Sequence, residues 1–171
     1  VTRSNIRGLL GWTFKEYFDH PEIARRLQPS TEEQRGNVER VETLAASFVN
    51  ETLRLHQSEY FYREVKEAIT VGSYRVPKGW LLRVCVRESH DNPDVFPDPR
   101  TFKADRFVGR HFSKLEYCPF SDGTHSCFGA RLSLMIARTL VMGLARHFDG
   151  RCVADGPVER SGNRHWRHWQ P

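Results

Sequence analysis

Apolar residues in the first third of the chain recur every three to four positions. Ile6, Leu9, Leu10, Phe14, Tyr17 and Phe18 trace one face of a helix that His20-Pro21 ends. Pro21 opens a second, short helix carrying Ile23, Ala24 and Leu27. Pro29-Ser30 breaks it, and Ser30 with Glu33 forms a capping-box signature for a new start. From Val38 the series Val41, Leu44, Ala45, Phe48, Val49 and Thr52 predicts a helix running to about Leu55. The period then changes. Residues 68–76 and 80–86 read as two short strands around the turn Pro77-Lys78-Gly79. Pro93, Pro97 and Pro99 exclude regular helix over 92–100, and a loop-rich stretch continues to Cys127. Leu132, Met135, Ile136, Leu140, Val141, Leu144 and Phe148 mark a last long amphipathic helix, and the tail from Asp149 is short-stranded at best. The pattern predicts an α+β chain, mainly α, with a small sheet.

Composition changes this picture little. A chain of 171 residues with 39% hydrophobic and 27% charged residues suits one globular domain with its own core, not a membrane-embedded or disordered chain. The net charge of +5 fits nucleic acid, an anionic surface or an acidic protein partner and decides among none of them. Cys85, Cys118, Cys127 and Cys152 form no CxxC pair and no zinc spacing, so a reducing, cytoplasmic setting is the default. Val1-Thr2-Arg3-Ser4-Asn5 has no leader-like pattern, and no apolar run approaches the roughly 20 residues needed to span a bilayer. No membrane partner is expected.

The chemistry concentrates at Phe120-Ser121-Asp122-Gly123-Thr124-His125-Ser126-Cys127-Phe128-Gly129. A cysteine lies between two glycines at the start of a predicted helix, with an aromatic ring seven residues upstream. Free N–H groups and the positive dipole end of a helix N-terminus stabilise a thiolate. Glycine lets the backbone approach a flat partner closely. A thiolate held this way is what a haem iron takes as an axial ligand. A buried free cysteine beside a turn is the plainer alternative for an arbitrary Cys.

The string resembles the haem-binding signature of the cytochrome P450 family, FxxGxxxCxG, in its variant with His two residues before the Cys. Three further stretches match in order. Glu51-Thr52-Leu53-Arg54 resembles the family's ExxR; alone it equals any i,i+3 surface pair. Phe102-Lys103-Ala104-Asp105-Arg106-Phe107 resembles the PERF region, and Gly79 through Asn92-Pro93-Asp94-Val95-Phe96-Pro97-Asp98-Pro99 the preceding strands and proline-rich segment.

The resemblance implies the C-terminal portion of the cytochrome P450 fold over 1–171: the end of the central helix, the ExxR helix, a small sheet, the Cys loop and the following long helix. It implies haem b as cofactor, with Cys127 as metal ligand and catalytic centre. Phe120 shields the sulfur, Gly123 and Gly129 shape the loop, and His125 and Arg63 bind the propionates. Glu51, Arg54 and Arg106 form a buried network. Tyr60, Phe61 and Tyr62, in the segment from Ser58, border a small organic substrate. Core packing is an equal alternative for each ring. The short connection from Arg106 to Phe120 looks more like soluble bacterial members than membrane-anchored ones.

The resemblance also implies absences. The family's front part lies outside the chain, so a complementary N-terminal chain in a heterodimer is expected to supply it. Arg3-Ser4-Asn5 stands where the family's acid–alcohol pair belongs; a one-turn register shift, or a pair supplied by the partner, is an equal alternative. Arg110, Lys114, Arg131 and Arg138 suit an acidic ferredoxin- or flavodoxin-type electron donor, with plain solvation the alternative. The alternating basic and aromatic tail 164–169 reads as a strand, not a nucleic-acid site. The implied function is oxidation of a small organic substrate with dioxygen or peroxide, or, as the alternative, a non-catalytic haem-binding or scaffolding half.

Overall fold

In the computed structural model, residues 3–28, 38–56 and 60–150 are described, the side chains of Arg3 and Ser4 excepted. Readings that fall on Ser30, Glu33, Ser58, Cys152 and the tail 164–169 lie outside them. The first periodic segment forms α1 (Arg3–Asp19). His20 separates it from α2 (Pro21–Leu27), where Pro21 occupies the first turn, the helical position at which a missing N–H leaves nothing unpaired. Glu22 in the first turn of α2 and Arg25 and Arg26 in its last complement the helix dipole.

The longest helices are α3 (Val38–His56) and, near the end of the described chain, α5 (Ala130–His147). Leu44, Ala45, Phe48 and Val49 of α3 meet Ala137, Val141, Leu144 and Ala145 of α5, and α1 adds Leu9, Trp12 and Tyr17 to the same cluster. Phe48, Val49, Ala137 and Val141 are wholly buried. Each large side chain so buried contributes roughly 2–3 kcal/mol from removal of apolar surface from water.

The strands depart from the sequence reading. Residues 69–76 form not one strand but a hairpin, β2 (Ile69–Val71) and β3 (Tyr74–Val76), in register from Ile69↔Val76 to Val71↔Tyr74. Gly72, at φ +59°, permits the reversal that the sequence reading placed at Pro77-Lys78-Gly79. The strand expected over 80–86 is β4 (Leu81–Cys85), and its partner is β1 (Tyr60–Glu64), antiparallel from Tyr60↔Cys85 to Glu64↔Leu81. Pro77-Lys78-Gly79 instead delivers the chain to that ladder. The Gly79 amide donates to the Val65 carbonyl, and the Val65 amide to Trp80, both at 2.8 Å. There are thus two two-stranded sheets among the described residues.

Val86 does not continue β4. It opens α4 (Val86–His90), which buries Val86 and His90 four residues apart on one face. The following stretch is irregular but packed: Phe96, Phe107, Phe112 and Tyr117 form an aromatic cluster against His90. No helix among the described residues is long and apolar enough to cross a membrane.

Candidate functional site

Ser47, Glu51 and Arg54 stand at i, i+4 and i+7 of α3, so one helix face carries a hydroxyl, a carboxylate and a guanidinium into the interior. Glu51 and Arg54 are wholly buried. Arg54 donates from Nε and Nη2 to the two Glu51 oxygens at 2.8 and 2.9 Å. Arg106 Nε lies 3.0 Å from both oxygens, and the Lys103 amide donates to Oε1 at 3.0 Å. The carboxylate is saturated. The remaining Arg106 nitrogens donate to the carbonyls of Pro97, Asp98 and Thr101, and the Arg54 guanidinium lies 5.2 Å from the centre of the Phe96 ring. Ser47 fastens the same segment: its hydroxyl donates to the Ala104 carbonyl and accepts from the Phe107 amide. A buried charge left unpaired is destabilising, so this set pins the segment 97–107 to α3 at one geometry.

The frame extends toward Cys127. Arg54 Nη1 donates to the His90 carbonyl at 2.9 Å, and the Cys118 amide donates to His90 Nε2 at 3.1 Å. Tyr117 donates to the Asn50 carbonyl at 2.9 Å, and burial pushes its phenol well above its ordinary range. Two residues beyond Cys118, the Phe120 carbonyl accepts the Cys127 amide at 2.8 Å and closes the loop. Ser121, buried at φ +63°, and Gly123, at φ +61°, shape the turn, followed by a 3₁₀ turn over Gly123–His125. Gly129 is the N-cap of α5, so Cys127 sits two residues ahead of it. Among the described residues, the amides of Phe128 and Gly129 find no backbone acceptor. Cys127 is half-buried and Phe128 wholly exposed. A Cβ on Gly129 would meet Cys127 Sγ only at 3.9 Å.

The other sequence-predicted residues fall around this loop unevenly. Phe120 is partly buried and packs on the core cluster. Arg63, on β1, reaches the Ser121 hydroxyl at 3.5 Å and lies over the Phe61 ring at 5.8 Å. Strand alternation therefore puts Phe61 and Arg63 on the face toward the Cys loop and Tyr60 and Tyr62 on the other. Tyr60 packs under the Arg83 guanidinium at 3.9 Å, and Tyr62 is about half exposed. His125 is exposed. Among the basic residues, Lys114, Arg131 and Arg138 are exposed; Arg110 is too, but it donates to the Val95 carbonyl and covers Phe112.

A second buried carboxylate was not legible in the sequence. Glu16 of α1 lies between His20 and His56, its Oε2 3.1 Å from His20 Nε2 and its Oε1 bonded to His56 Nε2. His56 stacks on Trp12 at 3.8 Å and His20 on Phe102 at 4.7 Å. Burial by itself pushes the Glu16 carboxyl up; the two histidine hydrogen bonds and the imidazolium charge outweigh it and hold it at about 2. The bond to Glu16 in turn raises His20. No cluster of three or more His, Cys, Asp or Glu suited to a metal ion occurs among the described residues.

Residues 9–165 match the family model described as Cytochrome P450. Among similar proteins are "Cytochrome P450 4c21" of Blattella germanica, 32% identical over 86% of this chain and 32% of the relative, and "Dimethylnonatriene synthase" of Arabidopsis thaliana, 36% identical over 66% and 23%. "Putative cytochrome P450 138" of Mycobacterium tuberculosis is 25% identical over 81% and 31%. The relatives come from animals, plants and bacteria alike. The chain spans about a third or less of the length of these curated relatives.

Proposed function

The chain belongs to the cytochrome P450 family, and from that membership we propose that it forms the haem-binding part of a haem-thiolate oxidoreductase, with Cys127 as the protein ligand of the iron. The observation that carries this reading is the half-buried Cys127 in a loop closed on Phe120, beside two amides at the start of α5 without backbone acceptors among the described residues. The residues present fit a flat macrocycle. The exposed apolar side chains Phe128, Leu132 and Met135 gather at the loop and the first turns of α5, and no Cβ crowds the thiol at Gly129.

Haem b, when bound, supplies the electron transfer and the activation of dioxygen or peroxide that oxidise a small organic substrate. The protein's part is binding, orientation and electrostatics. Cys127 presents sulfur from the positive end of a helix, where a negative charge is favoured. Arg63 and His125 offer charge-assisted bonds to carboxylate groups at the rim, Arg63 steadied by Ser121 and Phe61. Phe61, sharing Arg63's face of β1, borders the substrate more directly than Tyr60 or Tyr62. Lys114, Arg131 and Arg138 form the docking charge for an acidic ferredoxin- or flavodoxin-type donor.

The front part of the family fold comes from polypeptide outside these residues. The test is the reduced, carbon-monoxide-treated spectrum of this chain alone and together with polypeptide carrying the front part. A thiolate-type Soret band that appears or strengthens with the front part is the expected result. Absence of haem under both conditions rejects the proposal. The alternative reading is a non-catalytic haem-binding or scaffolding half. It predicts the same band without substrate turnover.

A further inference from the structure

We propose that His90 is the positioning residue that sets the Cys127 loop against the Glu51–Arg54–Arg106 frame, by accepting the Cys118 amide hydrogen at Nε2 while its own carbonyl accepts from Arg54. The proposal deepens, and rests on, the reading of Cys127 as the iron ligand.

His90 is wholly buried and bonded at both ends: Arg54 Nη1 lies 2.9 Å from its carbonyl, and the Cys118 nitrogen 3.1 Å from Nε2. An amide N–H can only donate, so Nε2 carries the lone pair and the ring hydrogen sits on Nδ1. Tyr117 and Phe96 pack on the ring at 5.0 and 6.1 Å between centroids and fix its direction. From Cys118 the chain passes through Pro119, whose ring locks φ, to Phe120, whose carbonyl holds the Cys127 amide at 2.8 Å. One imidazole thus joins the charged frame to the thiol loop through three residues, one of them stiff.

The arrangement requires a neutral ring. The charged groups around it are Arg54, itself paired to Glu51, and Asp91, which lies 3.7 Å from Arg87. Burial and the Arg54 charge hold the imidazole at about 4, so Nε2 remains an acceptor throughout the neutral range. Among the described residues, Nδ1 and Asp91 Oδ1 are both buried without hydrogen-bond partners, so no competing bond there turns the ring away from Cys118.

The test compares His90→Phe, which keeps a ring but no acceptor, with His90→Gln, which restores an acceptor at similar reach. In the haem-loaded protein, His90→Phe is expected to raise the share of thiol-type over thiolate-type carbon-monoxide band roughly three- to tenfold, the worth of one buried hydrogen bond. His90→Gln is expected to stay near wild type. In the haem-free protein, His90→Phe is expected to speed alkylation of Cys127, and hydrogen exchange at the Cys118 amide, by a similar factor. Equal behaviour of the two variants, or of His90→Phe and wild type, overturns the proposal. If wild type shows no thiolate band, the ligand reading fails, while exchange at Cys118 still decides the role of His90. If His90→Phe does not fold, ¹⁵N NMR of the wild-type ring decides: an unprotonated Nε2 supports the proposal and a protonated one overturns it.

Discussion

Among the described residues, two carboxylates are buried between basic side chains, and with opposite chemistry. Glu51 is enclosed by Arg54, Arg106 and the Lys103 amide, and Glu16 by His20 and His56. Guanidinium keeps its charge at any pH a protein survives, whereas imidazole titrates near neutrality. The Glu51 frame, which leads through His90 to the Cys127 loop, is built from partners that do not switch off. The Glu16 joint, which ties α1 to α2 and α3, is built from partners that do. The lesson is that burial alone does not define the role of an ion pair. What titrates around it does.

The comparison breaks most severely at Arg54. Arg54→Ala leaves Glu51 wholly buried with two of its three partners, Arg106 and the Lys103 amide, and frees the His90 carbonyl. The expected loss is about 3–5 kcal/mol, read as the shift of the denaturation midpoint or as failure to fold. Arg54→Lys should not rescue it, because an ammonium cannot reproduce the fork that reaches Glu51 and His90 together.

Glu16→Gln is expected to cost less, about 1–3 kcal/mol at neutral pH, since its histidines can shed their charge. Its sharper signature is in pH. A carboxyl held at about 2 contributes stability fully above its unfolded value of 4.5 and loses it as pH falls toward 2. His20, raised by the same bond, contributes stability fully below 6.5 and loses it as pH rises through its elevated value. Thermal midpoints across pH should show both losses in wild type and smaller ones in Glu16→Gln, where Glu22 still raises His20 and Asp98, Asp105 and Glu116 still lose their stabilisation in acid. A separate loss between 6.5 and about 4, from His90, should persist in both proteins, because His90 is neutral when folded and takes up a proton when unfolded.

The smallest effect marks the exposed limit. Arg26 makes a bidentate pair with Asp105 at 2.6 and 2.7 Å, yet both side chains are largely in solvent. Arg26→Ala should change stability by no more than about 0.5 kcal/mol, a difference that shrinks with added salt.

Which of these features a sequence reveals follows from their range. The helices α1, α2, α3 and α5 were legible because a buried face repeats every turn within a few residues. The pair Glu51 and Arg54 was visible as i,i+3 spacing, and Arg106 only through resemblance to the family. The pairing of β1 with β4 was not, because register across 20 residues depends on Gly72 taking the turn first. Nor was α4, whose five residues carry no cap and too short a period to separate from the strand before it. Ser47 had a local signal, its place one turn before Glu51 on the same face. His90, and the bond from Glu16 to His56 forty residues away, had none; only packing brings them together.

The central claim is that Cys127, held by the arginine-locked frame, binds the iron through sulfur. The most direct measurement compares the reduced, carbon-monoxide-treated spectrum of the haem-loaded protein with that of Cys127→Ser at equal haem content. The account predicts a thiolate-type Soret band in wild type and its complete loss in Cys127→Ser. An unchanged band in Cys127→Ser would contradict it.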